Sequence, residues 1–350
     1  MYPFLVIFGC ITIFSFIDTV NIKWKIKNII LFMLALMLII FAALRYGGRD
    51  YAEYELFFYN SANWDFSKNS DIGFVILNKF LSNIWYNPLI IFLTIAILSV
   101  SLNVKCFNDY GKFAIIALLF YFVHNYLLKE MIQIRSGLSC AIGLYNIRNL
   151  SKGNYVKFWL FEFLAITLHL GAIILILGWL LKRFSITRQQ WIFLLILCFL
   201  IGMIYPFGSL LKNFPYFDSL SRIQIYSYDE EQGRSLGILD NPATLKQLFL
   251  CGILLFFYNK FRDVKYFTIL TSMYIASTCW LMLWNDFAIV GARLATYLSV
   301  GEPILISGIL SLFSSRYRPL LLLGLIAIAF LFLYTNLIGK SLSYQLNPLF

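Results

Sequence analysis

Long apolar runs without a polar break recur along this chain, and they decide what it can fold into. They cover Tyr2–Ile17, Ile29–Leu44, Pro88–Val104, Phe113–Leu128, Ile132–Tyr145, Phe158–Leu181, Trp191–Tyr205, Leu245–Tyr258, Tyr266–Trp284, Ile289–Phe313 and Leu320–Ile338. Most are about 15–20 residues, close to the length of a helix crossing a hydrocarbon core. Only helices and closed barrels satisfy their backbones in lipid, and barrel strands would alternate polar and apolar residues. Composition agrees, with 61% hydrophobic and 13% charged residues, against roughly 45–50% and 25% in soluble domains. The expected fold is all-α: a polytopic integral membrane protein with about eleven or twelve transmembrane helices, forming one domain over residues 1–350.

The first run has no basic segment before it, and Lys23, Lys25 and Lys27 follow it. It therefore reads as a helix that stays, not a signal peptide. Orientation follows from short basic loops staying cytoplasmic. Alternate connections carry Lys23/Lys25/Lys27, Lys105/Lys112, Arg148/Lys152/Lys157, Lys182/Arg183/Arg188, Lys260/Arg262/Lys265 and Arg316/Arg318. The net charge of +11 is thus a topology signal, and no nucleic-acid partner is needed to explain it. Six cysteines lie in or beside apolar runs with no CxxC spacing, so they read as small core residues.

One segment resists the alternation, because Phe158–Leu181 has basic residues at both ends. Either a split hairpin turns near His169-Leu170-Gly171, or one long tilted helix tolerates a positive outer loop. With the split, both long polar stretches lie on the outer side. Residues 45–87 read as a loop with a surface-lying amphipathic helix over Asp71–Trp85. Residues 206–244 read as a second large loop, with Tyr216, Tyr226, Tyr228, Asp229-Glu230-Glu231 and Arg234. Their aromatic side chains suit sugar rings, or form an interfacial belt.

Ionisable groups near a membrane need a partner or a job. Arg45-Tyr46-Gly47-Gly48-Arg49-Asp50-Tyr51, with Tyr54 following, ends the second run. Two glycines between two arginines allow close backbone approach and an oxyanion cradle; the plain alternative is a helix C-cap. Arg135 lies just inside an apolar run, where Glu130 is its simplest partner. His169 sits deep in another run, as a core residue or as a reactive one at the inferred turn. Arg293 stands one turn before Tyr297, and Glu302-Pro303 follows as an ion-pair partner or a kink. Arginines without a dense carboxylate cluster or a DxD pair suggest a phosphorylated anion bound without a metal ion or other cofactor.

Arg45-x-Gly-x-x-Asp50-Tyr51-x-x-Tyr54 resembles the signature of EpsG-like, Wzy-type polysaccharide polymerases. Ile-Arg-Ser-Gly-Leu at Ile134–Leu138, Ala165-x-x-x-His169, and Arg293 with Tyr297 are also similar to that family. Gly-Arg-Asp replaces the family's usual Gly-Thr-Asp, and Arg-Ser-Gly its Arg-Gln-Gly. The resemblance implies a GT-C-like helical fold in the bacterial inner membrane, with helical periplasmic loops. It also implies that a glycan moves from undecaprenyl diphosphate onto the end sugar of a lipid-linked repeat unit at the periplasmic face. Arg135 and Arg293, assisted by Arg45 and Arg49, would then hold the diphosphate. His169 would be the base with Asp50 as its substitute, while Tyr51, Tyr54, Glu130 and Tyr297 would line the sugar or support the residues that touch it. The implied partners are the lipid-linked oligosaccharide, the bilayer and a chain-length regulator. A flippase for lipid-linked sugars and an O-antigen ligase-like transferase stay open as alternatives.

Overall fold

A computed structural model describes residues 2–20, 22–65, 71–212, 235–261, 264–339 and 344–347. Most of the expected 206–244 loop, including Tyr216, Tyr226, Tyr228, Asp229 and Arg234, lies outside the described residues. The chain is all-α and membrane-embedded, as the runs predict. In order, the helices are α1 Tyr2–Ser15, α2 Trp24–Ala43, α3 Tyr51–Ala62, α4 Ile72–Ser82, α5 Leu89–Tyr110 and α6 Ala114–Lys129. Then come α7 Ile134–Ser151, α8 Tyr155–Leu168, α9 Ile176–Phe184, α10 Arg188–Ile204, α11 Phe207–Lys212, α12 Pro242–Phe256, α13 Phe267–Leu283, α14 Ala288–Leu298, α15 Glu302–Gly308 and α16 Arg318–Gly339. Four described segments, Tyr2–Thr19, α2, α5 and α16, are long and apolar enough to cross a membrane, with a fifth if Ala288–Leu298 and Glu302–Leu312 count as one broken span. Five further apolar helices of 10–17 residues are α4, α6, α10, α12 and α13.

The helices show why the surrounding solvent must be lipid. In α2, Leu31, Leu34, Ala35, Leu38 and Ala42 recur at three- and four-residue spacing and are buried. On the opposite face Ile29, Phe32, Met33 and Ile40 are exposed. In α16, Leu322, Leu325, Ala329, Leu333 and Leu337 face inward while Leu320, Leu323, Leu331 and Tyr334 face out. A helix apolar all round belongs in a bilayer.

The chain divides into two compact units. The first comprises residues 1–172, 261–265 and 303–350, and the second 173–260 and 266–302. In the first, α7 packs along both α5 and α8, and α2 along α5. In the second, α13 packs against α9, α10, α12 and α14.

The run Phe158–Leu181 is broken where the sequence places the turn. Helix α8 ends at Leu168, His169 is extended, and a tight 3₁₀ stretch occupies Leu170–Leu175. A single long helix is therefore excluded. Gln345–Leu346 (β2) pairs antiparallel with Arg45–Tyr46 (β1), Arg45 opposite Leu346, and Asn347 N–H donates to the Leu44 carbonyl at 2.8 Å. Tyr344 stacks on Phe41 at 4.1 Å between ring centres, a contact worth about 0.5–1.5 kcal/mol beyond area burial.

α4 meets α8 so closely that Gly73 has no room for a side chain. A Cβ there would lie 2.7 Å from Thr167 Oγ1 and 2.9 Å from the Thr167 carbonyl carbon. Backbone cannot give way as a flexible side chain can, so Gly73→Val is expected to destabilise the protein by about 1–3 kcal/mol. A lowered unfolding midpoint in detergent checks this. Gly9→Ala, where nothing lies within 4 Å, is the control and should leave the midpoint at or above wild type.

Candidate anion-binding site

Arg45 follows the end of α2 and is buried, 2% exposed. It does not cap its own helix. Its Nη1 donates to the Glu130 carbonyl, at the break between α6 and α7, where the negative end of a helix dipole favours a cation. The guanidinium lies over the Phe92 ring at 5.1 Å. Nε and Nη2 are buried and have no hydrogen-bond partner among the described residues. Burial draws this guanidinium below its ordinary pKa, against the opposing pull of Tyr54, Tyr126, Glu130 and Tyr51. Arginine stays charged regardless.

The turn that follows explains the glycines. Gly47, Gly48 and Asp50 all have φ between 63° and 90°, a left-handed region open to glycine and tolerated by aspartate. The chain can thereby reverse directly from β1 into α3. Asp50 is half-buried at the N-cap of α3, and Arg49 is exposed beside it.

Arg135, in the first turn of α7, does not pair with Glu130 as its simplest reading supposes. Its Nη1 meets Asp71 Oδ2 at 3.2 Å, and the rings of Tyr54, Phe57 and Phe74 surround the guanidinium at 5.5–5.7 Å. Each such contact is worth about 0.5–1 kcal/mol where solvent still reaches. Arg135 Nε is buried without a partner among the described residues. The Tyr54 hydroxyl bonds to Arg135 and lies within the field of Arg45. Burial raises its pKa, while contact with Arg135 and the more distant Arg45 charge draw it back, and Asp50 raises it again. Tyr51 packs flat on Phe92 at 4.7 Å, and burial with Glu55 nearby pushes its phenol up.

Glu130 serves the scaffold. Ser99 Oγ and Tyr121 OH donate to its two carboxylate oxygens at 2.5 and 2.9 Å. Tyr121 opens a π-helical turn in α6 that ends at Tyr126, whose hydroxyl donates to the Leu38 carbonyl at 2.6 Å. Single π turns often mark functional sites, and this one carries two phenols toward Arg45 and Glu130.

His169 stands beside the Arg135 ion pair. The next amide, Leu170 N–H, donates to Asp71 Oδ1 at 3.4 Å. Gly171 N–H donates to His169 Nδ1 at 3.0 Å. A ring nitrogen that accepts a hydrogen bond carries no proton, so the proton of this imidazole sits on Nε2.

Sequence reasoning groups Arg45, Arg49, Asp50, Tyr51, Tyr54, Glu130, Arg135, His169, Arg293 and Tyr297; the structure puts the first eight in the first unit and Arg293 and Tyr297 in the second. Sequence reasoning missed Asp71, which holds Arg135 and the His169 turn together. It also missed Lys129, buried with Nζ donating to Ser136 Oγ at 2.8 Å. The start of α4 signals Asp71 as an N-cap, but nothing local signals a pairing 64 residues away.

Arg293 and Tyr297 belong to the second unit, on α14. Arg293 is exposed and Tyr297 buried. Glu302 pairs there with a lysine and not an arginine. Lys246 Nζ lies 2.6 Å from Oε1, and Tyr274 OH donates to Oε2 at 3.0 Å. Asp286 accepts from the amides of Gly208 and Ser209 at 2.8 and 2.5 Å.

What the first unit offers is two guanidiniums, with buried donors that have no partner among the described residues, beside aromatic rings. Donors of that kind suit an oxyanion. Over 338 residues the chain is 23% identical to the amylovoran biosynthesis protein AmsC of Erwinia amylovora, covering 89% of this chain and 87% of that protein. No solved structure matches it. Residues 28–349, nearly the whole chain, match the EpsG family, and the chain belongs to that family.

Proposed function

We propose that this protein is an exopolysaccharide polymerase of the bacterial inner membrane, with its site on the periplasmic side. In this reading it transfers a growing glycan from undecaprenyl diphosphate to the end sugar of a lipid-linked repeat unit. Family membership and a relative named for amylovoran biosynthesis support the polymer. The observation that carries the mechanism is the set of buried donors without partners among the described residues, Arg45 Nε and Nη2 and Arg135 Nε. An unmet buried donor costs about 1–3 kcal/mol, more when charged, and a diphosphate oxygen removes that cost.

The acceptor hydroxyl oxygen bonds to the donor's anomeric carbon, whose bond to the phosphate oxygen breaks. The electron pair leaves with the diphosphate, and its charge falls on Arg135 and Arg45, with Arg49 at the rim. A diphosphate is stable as an anion, so no general acid is needed and the protein's own arginines supply the cations. The hydroxyl proton passes to a base. Sequence alone favours His169 for that role. The Gly171 bond to Nδ1 changes the order, because a ring protonated at Nε2 is a donor toward substrate. Asp50 is the proposed base, and His169 steadies a phosphate or sugar oxygen. The cradle rests on the first unit and does not require Arg293.

Asp50→Asn is expected to slow glycan growth by at least about 10²-fold, the usual worth of a positioned base. His169→Gln keeps an N–H donor and should stay within about tenfold of wild type, as for one neutral hydrogen bond altered. An active Asp50→Asn beside an inert His169→Gln would return the base to His169. The polymerase reading itself is tested with purified protein in nanodiscs supplied with lipid-linked repeat units. A ladder of glycan lengths supports it. Translocation without new glycosidic bonds, or transfer only to a non-repeat acceptor, overturns it.

A further inference from the structure

We propose that the apolar cavity among α4, α5, α7 and α8 receives the first isoprene units of the prenyl chain whose diphosphate head is held by Arg135 and Arg45. This rests on the polymerase reading and adds to it a site for the lipid. The cavity measures about 420 Å³, within the roughly 300–1,000 Å³ of small-molecule sites. Its lining is glycine, leucine, isoleucine and phenylalanine. A sugar would need hydrogen-bond partners there, and a hydrocarbon needs none.

Its position selects the ligand. Gly73, Leu138 and Leu168 line it, and each adjoins the charged cluster. Gly73 precedes Phe74 of the Arg135 cage, Leu138 lies one turn beyond Arg135, and Leu168 precedes His169. From that end Ile142, Leu164 and Phe161 carry the lining away along α7 and α8. From Leu168 to Phe161 the helix advances about 10 Å at 1.5 Å per residue. On the outer side, Ile76 and Phe80 of α4 line the cavity while remaining exposed, so hydrocarbon can pass in laterally. A ligand with a compact anionic head and one long apolar tail satisfies both ends together. The glycine at residue 73 lets α4 lie against α8 and bring the cage and the cavity into register.

Photocrosslinking of the full chain in nanodiscs tests this, with radiolabelled undecaprenyl diphosphate as the probe. Leu102→p-benzoylphenylalanine places the reactive group in the cavity wall, and Phe161→p-benzoylphenylalanine repeats the readout with a smaller change of shape. Leu331, exposed on α16, takes the same substitution as the control for bulk lipid. Label is expected at 102 and 161 above that at 331, competed by unlabelled undecaprenyl diphosphate and not by phosphatidylglycerol. Arg135→Ala should cut it by about tenfold or more, as expected for one lost charge-assisted contact. Label no greater at 102 and 161 than at 331, label indifferent to Arg135→Ala, or equal competition by phosphatidylglycerol overturns the proposal. The two readings fail separately. Arg135-dependent label in a protein that builds no glycan leaves the lipid site and removes the polymerase. A glycan ladder from a protein whose cavity takes no label does the reverse.

Discussion

Arg135→Ala is expected to lower the rate of glycan transfer by about 10²–10³-fold, the usual cost of removing one preorganised donor from a developing anion. The reason lies in how the residue is held. Asp71 fixes one end of the guanidinium, three aromatic rings wall it, and Nε is left without a partner among the described residues. Arg135→Lys should recover little, because an ammonium cannot reach Asp71 and a phosphate in the same forked geometry. Folding should survive both changes, since the ion pair is partly exposed and pairs of that kind contribute little to stability. Chain growth measured on a glycan gel, with a stability measurement beside it, checks the expectation. Normal growth by Arg135→Ala would remove the cradle from the mechanism.

Arg45→Met is expected to cost at least about 10²-fold in the same assay, for a partly different reason. Methionine keeps an unbranched apolar stem, but it loses the guanidinium over Phe92, the donor to Glu130 and the two donors without partners among the described residues. Some loss of stability accompanies this, because the Glu130 carbonyl is left unmet, at about 1–3 kcal/mol. Combining the substitutions tells function from packing. If both arginines serve one departing diphosphate, Arg45→Met with Arg135→Ala together should cost clearly less than the product of the single losses. Full additivity would mean that the two guanidiniums act at separate places.

The fold was legible because the apolar runs leave a chain no alternative to helices in lipid. Helix ends fall within a few residues of the runs, as at α2, which begins at Trp24 where the run begins at Ile29. The break at His169 was legible too, from basic residues at both ends of one segment. Gly47 and Gly48 read as room for close backbone approach, and the structure holds both at positive φ. What stayed hidden are pairings between distant residues. Asp71 with Arg135, Lys246 with Glu302, and β1 with β2 across the length of the chain leave no trace in periodicity. The protonation of His169 was hidden for a related reason, since it depends on which backbone amide meets Nδ1. Residue types pointed to the arginine cradle, while roles within it came from geometry.

A structure of the full chain with undecaprenyl diphosphate bound is the most direct measurement. Phosphate oxygens should lie about 2.7–2.9 Å from guanidinium nitrogens of both Arg45 and Arg135, the spacing of charge-assisted hydrogen bonds. A diphosphate bound elsewhere, with Arg45 Nε and Nη2 still unpartnered, would contradict the account.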